Sequence, residues 1–187
     1  YPYGCLEQTT SAAYPHVYID EEGAKAVGLA PHTREQRAKF IEGAISRIAG
    51  MQGAEGGFRL WNGNDGSYEM WLTPYVTSFL ADAREAGFNV PEEMSKRAQK
   101  WMTEKLNGAA NQFSPLPAAV KPNANGQYDW RDYDLIRNSH QRFAELAHIG
   151  YMLARDQKAS LASLRLLHDS YRDRAKSPLA LVHLGLA

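Results

Sequence analysis

Cys5 is the only thiol among 187 residues, and Gln8 follows it three positions later in the stretch "YGCLEQTTS". If this stretch starts a helix, positions i and i+3 share a face, and the sulfur meets the side-chain carboxamide. Attack of the thiol on that carbonyl carbon, with loss of ammonia, gives an internal thioester. Such a bond is an activated acyl group, and it survives only while water is kept from it. A helix N-terminus favours negative charge, so it stabilises the thiolate that departs when the bond is opened. Gly4 lets the backbone turn into the helix and Pro2 stiffens the approach, while Tyr1, Tyr3 and Tyr14 are aromatic candidates for shielding. The plainer alternative is a lone cysteine acting as a small buried apolar residue.

Other residues carry less chemistry. His140 and His148 lie eight apart on one expected helix, but no carboxylate completes a zinc spacing such as His-Glu-x-x-His. "YDWRDYD" gathers Asp129, Asp132 and Asp134 without the alternation and glycine of a calcium loop. It reads as a solvated loop whose acids pair with Arg131 and Arg137. "NGNDG" is turn chemistry, and Trp71, Tyr75 and Phe79 have the spacing of a helix core. No metal and no cofactor are expected.

The elements that must position Cys5 and Gln8 are helical. Thr33 and Gln36 have capping-box spacing, and Phe40, Ile41, Ala44, Ile45 and Ile48 form one apolar stripe before Gly50. A second helix runs through "EMWLTPYVTSFLADAREAGF", with Pro74 in its first turns and Gly87 as its stop. A third begins near Pro91, carries Glu92 and Glu93 in its first turn, and ends at Asn107-Gly108. Further helices are predicted over about 139–155 and 158–174, and from Ser177-Pro178 onward. Two segments break the pattern: a short hairpin or extended loop near 56–69 ("GGFRLWNGNDGSYEMW"), and a long Pro-, Asn- and Gly-rich loop over 107–138. Paired helices of this kind form an array of helical hairpins that can close into a ring, or an irregular bundle; periodicity does not separate the two.

Lys plus Arg and Asp plus Glu both number 21, so the formal net charge is zero and nothing draws the chain broadly to nucleic acid or to an anionic membrane. One cysteine makes no internal disulfide, and no apolar run approaches the roughly 20 residues that span a bilayer. The chain opens on Tyr rather than Met and ends at Ala187 in mid-pattern, which reads as a piece of a longer polypeptide.

"YGCLEQTTS" resembles the Gly-Cys-x-Glu-Gln thioester motif of the alpha-2-macroglobulin and complement superfamily, and Leu6 at its variable position is typical of the bacterial alpha-2-macroglobulins. The likeness continues in "MQGAEGGFRLWNG…WLTPYVTSFLADA", which is similar to the family's next helical hairpin, and it covers at least residues 1–106. The resemblance implies an all-α fold, an α/α toroid of helical hairpins over residues 1–187, as the thioester domain of a larger multidomain protein. It implies Cys5 as thiol donor, Gln8 as acyl donor, Gly4 and Glu7 as residues shaping the motif, and Tyr1 as a shield. Some complement members carry a catalytic His in the region that matches Lys121 to Gln127; none stands there, which implies direct attack by amines. The implied activity is single-use, covalent trapping of proteases through their lysines, not enzymatic turnover. Target proteases and the other domains of the parent protein are the implied partners, without nucleic acid or membrane contact by this domain. The implied location is the periplasm, with the parent protein lipid-anchored to the inner membrane.

Two rival readings come from other classes. An α/α-toroid enzyme, such as a terpene cyclase or prenyltransferase, also uses Gly-Gly-Phe…Trp elements but needs a dense Asp cluster or a Cys/His/Asp zinc set. A cysteine hydrolase would use Cys5 as nucleophile with His140 as base.

Overall fold

A computed structural model describes residues 4–63, 68–116, 122–127 and 129–187. The described residues are helical, with a single isolated antiparallel bridge between Gln52 and Phe58 and no strand. The all-α class is the expected one. Among the described residues nine α-helices follow one another: α1 (Leu6–Ala13), α2 (Pro15–Tyr18), α3 (Glu21–Ala26), α4 (Arg34–Ala49), α5 (Leu72–Glu85), α6 (Glu92–Asn107), α7 (Trp130–Arg155), α8 (Leu161–Tyr171) and α9 (Pro178–Leu186). They fall into two compact units, Tyr1–Trp101 and Met102–Ala187, with the boundary inside α6.

In the first unit α4 is built as its sequence predicts. Thr33 Oγ1 accepts from the Gln36 N–H at 3.2 Å while Gln36 Oε1 accepts from the Thr33 N–H at 2.9 Å, a complete capping box. Ile41, Ala44, Ile45 and Ile48 are buried, but Phe40 is 50% exposed and leaves the expected stripe. Its ring stacks on His16 at 4.7 Å instead, with His32 edge-on. The stripe of α5 is corrected in the same way: Phe79 is fully buried, Tyr75 is half-buried, and Trp71 is 39% exposed. A period identifies one face of a helix; it does not say how far along that face a neighbour reaches.

The described residues of the segment before α5 form a loop, one of the two expected forms, and its glycines have a steric reason. Gly56 has φ +102°, and a Cβ there would stand 2.2 Å from the Arg97 carbonyl oxygen. At Gly57 a Cβ would meet the Trp101 indole at 2.7 Å. Only glycine lets the loop lie this close to α6. Phe58 then enters the core, its N–H donating to the buried Thr73 Oγ1 at 3.1 Å. "NGNDG" falls largely outside the described residues.

In the second unit α7 begins nine residues before the predicted 139, so the long loop is shorter than expected. Ala109–Gln112 form a 3-10 turn, and Asp129 caps α7 by accepting from the Arg131 N–H at 2.8 Å. "YDWRDYD" is thus largely the first turn of a helix and not a solvated loop. Asp134 does pair with Arg137, at 2.9 Å, whereas the Arg131 guanidinium lies over the Trp130 ring. α7 packs chiefly against α9, where the His148 and His183 rings stack at 4.3 Å.

Candidate functional site

The site begins with the way α1 starts. Cys5 is its N-cap, with extended backbone angles (φ −67°, ψ 172°), and Gln8 is the third helical residue. The two form a capping box in which sulfur replaces the usual hydroxyl: the Gln8 N–H faces the Cys5 side chain, and Gln8 Oε1 accepts from the Cys5 N–H at 3.3 Å. The hydrogen bond folds the Gln8 carboxamide back over the helix end, beside the thiol. Cys5 is 8% exposed, and Gln8 faces solvent. The arrangement therefore places a buried cysteine beside an exposed glutamine at the positive end of a helix.

Three contacts hold this end in place. The Leu6 N–H donates to the Leu60 carbonyl at 2.9 Å, so the glycine-rich loop fixes the first helical residue. Arg47 on α4 donates to the Gly4 carbonyl at 3.0 Å. Leu6 itself is fully buried, and the buried Thr10 returns its hydroxyl to the Leu6 carbonyl at 2.8 Å. Gly4 is buried against the motif, and a Cβ there would meet Thr9 Oγ1 at 3.5 Å and Gln8 Cβ at 3.6 Å. Glu7 is half-buried and accepts from the Ser11 hydroxyl at 3.4 Å; Ser11 shares a second hydrogen bond, of 2.8 Å, with the Tyr75 hydroxyl.

Farther along, Tyr14 and Tyr18 both donate to the Asp82 carboxylate of α5, the latter at 2.6 Å. Burial, followed by the hydrogen bond to Asp82 and its charge, holds the Tyr14 phenol well above its ordinary range. Tyr14 thus acts as an anchor for α1, while Tyr1, Tyr3 and Lys121 lie outside the described residues. Sequence reasoning missed Arg47, Leu60, Tyr75 and Asp82 as parts of the site. Tyr75 alone carried a signal, as an aromatic on α5, and it was assigned to the core.

The remaining candidates are engaged elsewhere. His140 Nδ1 lies 2.6 Å from the Arg174 carbonyl oxygen, and the half-buried His148 stacks on His183. Among the described residues no group of three or more His, Cys, Asp or Glu side chains is placed to hold a metal ion, and no helix is long and apolar enough to cross a membrane.

The sequence profile of the A-macroglobulin TED domain matches residues 1–124. An alpha-2-macroglobulin of Xylella fastidiosa is 36% identical over all 187 residues, and this chain covers 10% of it. The crystal structure of trypsin-activated alpha-2-macroglobulin from Escherichia coli superposes with a TM-score of 0.80 at 33% identity, over 100% of this chain and 11% of that one. A crystal structure of Salmonella alpha-2-macroglobulin reacted with methylamine gives 0.79, also at 33% identity, over 100% of this chain and 11% of that one. The chain thus spans about a tenth of the length of the relatives it matches.

Proposed function

Because this chain belongs to the alpha-2-macroglobulin family of protease inhibitors, as its TED domain, we propose that Cys5 and Gln8 form the internal thioester through which the full-length protein traps proteases covalently. The observation that carries this reading is the reciprocal Cys5–Gln8 contact at the start of α1, with the thiol covered and the carboxamide exposed.

The chemistry balances in two steps. In the first, Cys5 Sγ bonds to the Gln8 side-chain carbonyl carbon; the amide nitrogen leaves with the thiol proton as ammonia. In the second, the neutral amine of a protease lysine attacks the same carbon. The new C–N bond is an amide, the C–S bond breaks with its electron pair on sulfur, and the amine's proton balances the released Cys5 thiolate. The positive end of α1 stabilises that thiolate. Each molecule reacts once. Its control is access: the bond stays covered until proteolysis elsewhere in the full-length protein exposes it, a gate rather than a turnover cycle. The Salmonella relative, whose structure is of the protein reacted with methylamine, supports a primary amine as the attacking group. Glu7 and Gly4 shape the motif and Tyr1 shields it. The resemblance alone supports the remaining assignments, to the periplasm and to a parent protein anchored to the inner membrane.

The test is a protease challenge of the full-length protein. A covalent adduct that resists denaturation, with a lysine of the protease joined to Gln8, is the expected product. Adducts that form without Gln8, or none at all, contradict the proposal.

A further inference from the structure

Beyond the acyl transfer, we propose that Trp71 and Tyr75 of α5, with Glu7 of α1, form the surface that receives the side chain of the attacking lysine. This deepens the thioester reading and rests on it.

The argument starts from register. Ser11 meets Tyr75, Tyr14 packs edge-on against Phe79, and both Tyr14 and Tyr18 reach Asp82. Residue numbers rise together along both helices, so α1 and α5 run side by side in the same direction. One turn back from Ser11 is Glu7, and one turn back from Tyr75 is Trp71, a step of about 6 Å on each helix. Trp71 keeps helical backbone angles as the residue leading into α5, and its ring lies 6.5 Å from that of Tyr75. It therefore stands level with Glu7 and Gln8. On α1 the buried residues (Leu6, Thr10, Ala13) lie on the side of the helix opposite Gln8, so the approach to Gln8 is from the other side. The edge of α1 next to Gln8, from Glu7 to Ser11, is the one that meets α5, through the Ser11–Tyr75 hydrogen bond.

The chemistry of that border fits one ligand class. A lysine side chain has a four-carbon apolar stem and a compact cation, and aromatic faces bind both parts, the stem by contact and the cation through the ring quadrupole. The Glu7 carboxylate supplies the complementary charge beside the acyl carbon. Only the neutral amine attacks, so Glu7 holds the ammonium at the approach, and its proton is lost to solvent before the C–N bond forms. A small amine reaches Gln8 without using the rings. A lysine-length amine uses them, and so the surface favours lysine side chains over smaller amines.

A competition experiment reads this preference. The full-length protein is opened by an activating protease in a mixture of methylamine and Nα-acetyl-lysine amide, and the two products at Gln8 are counted by mass spectrometry. Trp71→Ala should lower the ratio of lysine product to methylamine product by about three- to fivefold, the scale of a partly exposed cation–aromatic contact. Trp71→Phe should keep most of the preference. Trp130→Ala removes an aromatic that is 68% exposed at the start of α7 and should leave the ratio at the wild-type value. An unchanged ratio in Trp71→Ala, or an equal fall in Trp130→Ala, overturns the inference and leaves the thioester standing. If the wild-type protein incorporates neither amine, the thioester reading fails and this inference with it.

Discussion

Cys5 carries two requirements at once. As N-cap it must turn the chain into α1, and as the proposed thiol donor it must face Gln8. A capping box meets both, because the residue that folds back onto the cap is the one three positions on. That pair was legible in the sequence, since it depends on local spacing alone. Arg47 and Leu60 were not legible, because their contacts with Gly4 and Leu6 link residues far apart in the chain. Serine should serve as the cap at least as well as cysteine. Cys5→Ser is therefore expected to change the unfolding free energy by no more than about 1 kcal/mol while abolishing covalent capture. Chemical denaturation beside the protease challenge separates the two effects; an unfolded variant would mean that the thiol is chiefly structural.

At the scale of elements, the position of α1 depends on α5. Asp82 binds the hydroxyls of Tyr14 and Tyr18, so its loss leaves half-buried Tyr14 without this acceptor. Asp82→Ala should cost on the order of 2 kcal/mol, measured by urea unfolding, and should increase spontaneous hydrolysis of the thioester. A stable variant with a normally persistent bond would show that α1 is held by Leu6 and Arg47 alone. The capping box of α4 was readable because both partners lie within one turn. The start of α7 was not: Pro, Asn and Gly dominate up to residue 127, and they masked an Asp129 cap followed by a continuous helix. Phe40 and Trp71 were misplaced for a related reason, since periodicity assigns a face without naming what packs on it.

The α7–α9 contact carries a pH dependence. Burial, and next the charge of His183, lower the pKa of His148 from its ordinary 6.5 to about 4, and burial lowers that of His183 as well. The unfolded chain then takes up protons first as pH falls. Stability is complete above about pH 6.5, is lost progressively down to pH 4, and levels off below it. The His148 share is on the order of 3 kcal/mol. Urea unfolding of the chain across this range should show the loss, and His148→Gln should flatten it. An unchanged profile in that variant would place the pH dependence elsewhere.

For the whole molecule, the family match describes a TED domain, and the proposed thioester would make it the carrier of one reactive bond. In the proposed function the bait, the gate and the anchor belong to the full-length protein; the Xylella relative is about ten times the length of this chain. Sequence alone was enough for the all-α class, because helical periodicity is repeated along most of the chain, and it marked Cys5 and Gln8 as neighbours at a helix start. It did not reveal the parallel packing of α1 on α5, which is set by tertiary contacts of Ser11, Tyr14 and Tyr18. The measurement closest to the central claim is the intact mass of the purified full-length protein, with its thiol content, before and after methylamine. The thioester account predicts a starting mass below the mature sequence mass by one ammonia and no reactive Cys5 thiol. After methylamine it predicts one new thiol and a methylamide at Gln8. A starting protein of full mass with Cys5 already titratable, unchanged by methylamine, would contradict it.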